Sequence, residues 1–95
     1  MSTLASYLLG DQADEQKKIQ VWIKGNPIQG YDSTKFRKDD LGSWMSFFDY
    51  GNRDSEYGWE FDHHPIPASE GGSNDVNNLR PLNWRNNVRL GGLLR

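Results

Sequence analysis

The chain contains no cysteine among its 95 residues, which excludes disulfide bonds, cysteine-ligated zinc and a cysteine nucleophile. It also has no run of about 18 apolar residues, the minimum for a membrane-spanning helix. Residues 1–10 include a short apolar patch without a basic start or a cleavage site, so no signal peptide is predicted. We therefore expect a cytoplasmic protein that does not bind membranes. The length predicts one domain over residues 1–95, since two would each be too small.

Composition and charge limit the functional classes further. Aromatic residues make up 13% and charged residues 25% of the chain, which is too aromatic for a disordered segment. Residues 76–95 hold four arginines and no acidic residue, whereas residues 1–75 hold seven basic and thirteen acidic residues. Such a basic end on an acidic body is consistent with contact with phosphate, although charge alone favours a chance cluster of solvated arginines.

Two elements are predicted in the first half of the chain. A helix is expected over residues 11–24, capped by Asp11 or Asp14 and ended by Gly25. The aromatic segment 43–50 is expected to be extended. The large apolar side chains expected in the core are Trp22, Trp44, Phe47, Phe48, Trp84 and Val88.

The second half predicts the order strand, long loop, strand, helix. Alternating side chains predict a strand over residues 57–63, and a loop of unusual length follows over residues 64–78. A short strand is expected over residues 79–82, after which Asn83 can cap a helix over residues 84–90. In the first of these strands, Tyr57, Trp59 and Phe61 share one face, and Glu60 and Asp62 share the other.

The segment 59–87, WEFDHHPIPASEGGSNDVNNLRPLNWRNN, resembles the HNH nucleases, also called ββα-metal or His-Me finger nucleases. The similarity comprises the Asp62-His63 pair, a proline four residues after His63, the loop Gly-Gly, Asn78-Leu79 at the second strand and Asn87 in the helix. The resemblance implies an α+β fold in which residues 57–91 form the ββα-metal core. The N-terminal helix and a short extended segment would support that core.

The resemblance also implies roles for individual residues. Asp62 and Asn87 would hold one divalent cation, Mg²⁺ or Mn²⁺, because carboxylate and amide oxygens suit these ions. His63 would be the general base, since imidazole accepts protons near neutral pH. Asn78 would brace the loop and orient His63, although a plain loop-end cap is the alternative. Asn83 and Asn86 stand where many relatives carry zinc-binding cysteines and are expected as a helix cap and a surface residue, so no structural zinc is implied.

The remaining predictions concern the substrate. Arg80, Arg85 and Arg89 are the predicted nucleic-acid contacts, although Arg85 and Arg89 lie away from Asn87 around a helix and could face water. Leu90 stands where the family commonly has a phosphate-binding lysine, and His64 is expected to be solvated or an auxiliary metal or phosphate contact.

The function expected from the resemblance is metal-dependent hydrolysis of phosphodiester bonds by an endonuclease, with DNA as substrate. Two alternatives stay open: a non-catalytic nucleic-acid-binding module of the same fold, and the toxic nuclease domain of a larger system neutralised by a partner protein. The sequence leaves the oligomeric state open.

Overall fold

Two antiparallel sheets, two α-helices and three short 3-10 turns make up the regular structure of residues 14–91, the part of the chain that the computed structural model describes. Within those residues no helix has the length and apolar character needed to cross a membrane. The elements in chain order are helix α1 (residues 14–22), strands β1 (Asn26–Pro27), β2 (Phe36–Lys38), β3 (Trp44–Ser46), β4 (Trp59–His63) and β5 (Leu79–Asn83), and helix α2 (Trp84–Arg89).

Helix α1 ends two residues earlier than the sequence predicts. Its last α-helical residue is Trp22, and residues 23–25 form a turn. The amide of Gly25 binds the carbonyl of Trp22 at 2.9 Å, a three-residue spacing that tightens the chain before β1 begins. The predicted cap Asp11 and the predicted start of the helix at residues 11–13 lie outside the described residues.

Strands β1, β2 and β3 form the first sheet, with β2 in the middle. The prediction of an extended segment over residues 43–50 is confirmed for β3 but wrong for Phe47–Asp49, which form a 3-10 turn. This turn bends the chain so that Tyr50 runs alongside Trp59, where the amide of Gly51 binds the carbonyl of Trp59 at 2.9 Å. The bend joins the first sheet to the second.

Strands β4 and β5 form the second sheet, a hairpin in which Asp62 lies opposite Arg80 and His63 opposite Leu79. The predicted order of strand, long loop, strand and helix is observed, although β4 begins two residues later and β5 ends one residue later than expected. Pro81 is tolerated because each strand of a two-stranded sheet is an edge. Helix α2 follows β5 directly, and the side chain of Asn83 caps it by accepting from the amide of Arg85 at 3.0 Å.

The hydrophobic core lies between α1, β3 and the hairpin. Trp22 is buried as predicted, whereas Phe48 is 76% exposed and Val88 49% exposed, so both were wrongly placed in the core. Val88 is exposed because the short helix α2 turns Asn86 and Asn87, and not an apolar stripe, toward the protein. The buried cluster consists of Val21, Trp22, Met45, Trp59 and Leu79, with Trp44, Phe47 and Trp84 half-buried.

The prediction that Asn86 is a surface residue is also wrong. Asn86 is 3% exposed, and its amide donates to Asp39 Oδ2 and to Ser43 Oγ, each at 2.8 Å. Asp39 is 2% exposed and also accepts from the backbone amide of Asn83 at 3.0 Å. A buried carboxylate needs such donors, so Asn86 is drawn inward and ties α2 to the segment between β2 and β3.

Candidate metal and catalytic site

Asp62 lies in β4 on the same face as Glu60, because side chains alternate along a strand. Its side chain is 2% exposed, and Oδ2 accepts from Arg80 Nε at 2.8 Å. Arg80 stands directly opposite in β5, and its Nη1 also lies 3.5 Å from Asp40 Oδ2. A predicted metal ligand and a predicted phosphate contact are therefore ion-paired with each other.

Asn87 lies in the first turn and a half of α2 and is 7% exposed. Its Nδ2 donates to Glu60 Oε1 at 2.9 Å. This contact sets the amide of Asn87 against the face of β4 that carries both Glu60 and Asp62. Since an ionised carboxylate only accepts hydrogen bonds, the nitrogen side of the amide faces Glu60 and Oδ1 is on the opposite side.

His63 is the last residue of β4 and is partly exposed. Its Nε2 lies 2.6 Å from Asn74 Oδ1 in the long loop. An amide oxygen only accepts, so a neutral imidazole in this contact donates from Nε2 and has its lone pair on Nδ1. The adjacent His64 is exposed.

Asn78 closes the long loop through its side chain. Oδ1 accepts from the amide of Ile66 at 2.9 Å, while Nδ2 donates to the carbonyls of Ile66 at 2.8 Å and Ser73 at 3.1 Å. The chain packs so closely there that a Cβ added at Gly72 would lie 1.9 Å from the Ile66 carbonyl oxygen. These bonds hold the segment after His63 against the start of β5.

The three predicted phosphate contacts differ in exposure. The side chain of Arg80 is 13% exposed and faces Asp62. Arg85 and Arg89 are exposed; the Arg85 guanidinium lies 5.4 Å from the centre of the Trp84 ring, and Arg89 donates to Asn86 Oδ1 at 2.7 Å. Arg85 and Arg89 therefore present their charges at the surface, whereas the side chain of Arg80 is mostly covered and pairs with Asp62.

Sequence reasoning assigned no role to Arg53, Glu60 or Asn74. Arg53 donates two hydrogen bonds to the Glu60 carboxylate, from Nε to Oε2 at 2.6 Å and from Nη2 to Oε1 at 2.8 Å. The hydrogen bonds from Arg53, with a smaller contribution from Asn87, hold the pKa of Glu60 below its usual value. The alternation of Glu60 with Asp62 could have indicated a shared face, but Arg53 lies in a turn and Asn74 in the irregular long loop, and neither gave a signal beyond loop chemistry.

The donor set limits what kind of metal site could form. Within residues 14–91 no group of three or more His, Cys, Asp or Glu side chains is arranged to hold a metal ion. Asp62 and Asn87 would supply one carboxylate and one amide oxygen, hard donors that suit Mg²⁺ when water and phosphate complete its coordination. The residues thus fit a cation bound together with substrate, and do not fit one enclosed by the protein alone.

Comparisons with protein-family models, with curated proteins and with solved structures find no match.

Proposed function

We propose that this protein is a metal-dependent endonuclease whose site is a ββα-metal motif formed by β4, the long loop, β5 and α2. The contact between Asn87 Nδ2 and Glu60 Oε1 carries the proposal, because it sets the helix amide beside the strand face that bears Asp62. His63 follows Asp62 at the strand end, so a base and two oxygen donors come from one hairpin and its helix.

In this proposal Asp62 and Asn87 hold the cation through oxygen atoms. A bound divalent cation would stabilise the negative charge that develops on the leaving oxygen of a phosphodiester. Asp62 would then share its carboxylate between the cation and Arg80, whose Nε lies 2.8 Å from Oδ2.

His63 acts as the general base. Asn74 Oδ1 accepts a hydrogen bond from Nε2–H, which fixes the imidazole tautomer and directs the lone pair of Nδ1 outward from that contact. Nδ1 takes a proton from the attacking water as the water approaches phosphorus. Asn78 holds the backbone on both sides of this loop and so limits the movement of His63.

DNA is the proposed substrate, and its backbone would meet the exposed guanidinium groups of Arg85 and Arg89.

A supercoiled-plasmid nicking assay tests the proposal, with Mg²⁺, with Mn²⁺ and with excess EDTA. The parent should convert the plasmid to open circles only when the metal is present. Asp62→Asn should abolish conversion, while Asp54→Asn, which changes an exposed carboxylate outside the site, should leave the rate unchanged. Circular dichroism of Asp62→Asn serves as the control for folding, and it should match that of the parent.

The ion pair between Asp62 and Arg80 favours a second candidate, a nucleic-acid-binding module without catalysis. A guanidinium 2.8 Å from Asp62 Oδ2 compensates the same carboxylate that the nuclease proposal assigns to the cation. Plasmid binding by the parent in a gel-shift assay, without cleavage under any divalent metal, would support this candidate and contradict the nuclease.

A further inference from the structure

We infer that Glu60 is a positioning residue, which fixes the side-chain amide of Asn87 so that Oδ1 is the atom available to a cation. This inference rests on the proposed function, in which Asn87 is a metal ligand. It assigns Glu60 no contact with metal or substrate.

The first support is the geometry of the Glu60 carboxylate. Oε1 accepts from Asn87 Nδ2 at 2.9 Å and from Arg53 Nη2 at 2.8 Å, while Oε2 accepts from Arg53 Nε at 2.6 Å. A guanidinium that binds both oxygens of a carboxylate fixes its plane and its rotation. Arg53 therefore sets the direction in which Oε1 meets Asn87.

The second support is the chemistry of an amide. The two ends of the asparagine side chain have nearly the same shape, so packing alone hardly distinguishes one orientation from its 180° flip. Only the oxygen end can bind a cation, whereas the nitrogen end only donates. With Glu60 ionised, the flipped orientation would press Oδ1 of Asn87 against a carboxylate oxygen. The acceptor oxygen that Glu60 presents, held in place by Arg53, therefore selects the orientation that a metal ligand needs.

The third support is burial. Asn87 is 7% exposed, so water cannot replace Glu60 as the partner of Nδ2 without opening the contact between α2 and β4. The side chain of Glu60 is 19% exposed, whereas that of Arg53 is 54% exposed. Arg53 is thus the solvent-facing end of a chain of contacts that leads inward to Asn87.

The test measures Mn²⁺ affinity by electron paramagnetic resonance in the parent, Asp62→Asn, Glu60→Ala, Glu60→Gln and Arg53→Ala, and Asp62→Asn defines which part of the binding depends on Asp62. Removing a residue that orients a metal ligand typically costs about 10–100-fold in metal affinity, and we expect Glu60→Ala to fall in that range. Glu60→Gln keeps an acceptor oxygen for Asn87 and should recover most of the affinity. Glu15→Ala is the matched control, since it removes an exposed carboxylate paired with Lys18 and should bind Mn²⁺ like the parent.

A second readout needs no metal. The side-chain NH₂ of Asn87 gives its own pair of nuclear magnetic resonance signals, and these should shift and lose hydrogen-exchange protection in Glu60→Ala but stay near the parent in Glu60→Gln. Arg53→Ala alters an exposed side chain and should give an intermediate shift even if Glu60→Ala proves unfolded.

The outcomes separate this inference from the proposed function. If Asp62-dependent Mn²⁺ binding persists at parental affinity in Glu60→Ala, the positioning role is wrong and the nuclease proposal stands. If Glu60→Gln binds as weakly as Glu60→Ala while the Asn87 signals are unchanged, Glu60 is itself a ligand and the inference is again wrong. If the parent shows no Asp62-dependent Mn²⁺ binding, both proposals fail together.

Discussion

Arg80 and Asp62 face each other across the β4–β5 hairpin, with Arg80 Nε 2.8 Å from Asp62 Oδ2. Arg80 compensates the charge of the Asp62 carboxylate; the side chain of Asp62 is 2% exposed and that of Arg80 is 13% exposed. Any cation that binds Asp62 must share this carboxylate with Arg80. The strength of the ion pair and the affinity for metal are therefore coupled.

Replacing Arg80 should make the stability of the protein depend on metal. Arg80→Gln removes the ion pair of a buried carboxylate, and breaking such a pair typically costs about 3–5 kcal/mol. Mg²⁺ should recover part of that loss, because a cation that binds only the folded state stabilises it. The measurement is thermal unfolding with and without Mg²⁺. The increase in Tm on adding Mg²⁺ should be larger in Arg80→Gln than in the parent.

The exposed Arg85 provides the control for this prediction. Arg85→Gln removes the same charge from the surface and should keep the parental Tm and the parental response to Mg²⁺. An Arg80→Gln variant that melts like the parent and ignores Mg²⁺ would show that Asp62 does not depend on a cation at all.

His63 and Asn74 should affect catalysis to different degrees. His63→Ala removes the proposed base, and a positioned base is typically worth 10²–10⁴-fold in rate, so a loss of about that size is expected in plasmid nicking. Asn74→Ala keeps the imidazole but removes the 2.6 Å contact of Nε2, so either ring nitrogen can carry the proton. The loss in nicking rate should therefore be smaller than in His63→Ala. DNA affinity by gel shift should change in neither variant. His64→Ala, which alters the exposed neighbour, is the matched control, and a His63→Ala variant that nicks at the parental rate would remove His63 from the mechanism.

The site was predictable from sequence only in part. Alternation along β4 correctly placed Glu60 and Asp62 on one face, and the position of Asn83 before the last helix correctly predicted its cap. Periodicity says which residues share a face but not what lies against that face. The ion pair of Asp62 with Arg80 therefore emerged only from the strand register.

The burial of Asn86 shows the same limit from another direction. An asparagine on a short polar helix is usually exposed, and here its partner Asp39 lies 47 residues away in the chain. Nothing local to either residue signals that contact. Phe48 shows the opposite error, because it was expected in the core and is 76% exposed. It lies in a 3-10 turn, where side chains do not alternate between two faces as they do in a strand.

The Asp39–Asn86 contact should stabilise the scaffold without any metal. Asn86→Ala removes one donor from a buried carboxylate, which typically costs about 1–3 kcal/mol, and urea unfolding should show that loss. Asn77→Ala changes an exposed asparagine and should not. A zinc-selective chelator should leave the parental unfolding curve unchanged, and loss of folding on its addition would contradict a scaffold held by Asp39.

The contribution of Glu60 to stability should disappear in acid. Arg53, and to a smaller extent Asn87, lower the pKa of Glu60 in the folded protein, so the unfolded chain binds a proton more readily than the folded one. The stabilisation is therefore fully present above the unfolded pKa of about 4.3 and is lost as the pH falls through the lower pKa of the folded state. Urea unfolding of the parent and of Glu60→Gln, compared at each pH, isolates this residue because the other carboxylates titrate in both proteins.

We expect a difference in unfolding free energy of about 1 kcal/mol at pH 7, constant down to about pH 5 and shrinking below about pH 4. Arg53→Gln should show the same loss at neutral pH and the same convergence in acid, since it removes the other member of the pair. A difference between parent and Glu60→Gln that persists undiminished at pH 3 would mean that the Glu60 charge contributes nothing, and that the shape of the side chain carries the effect.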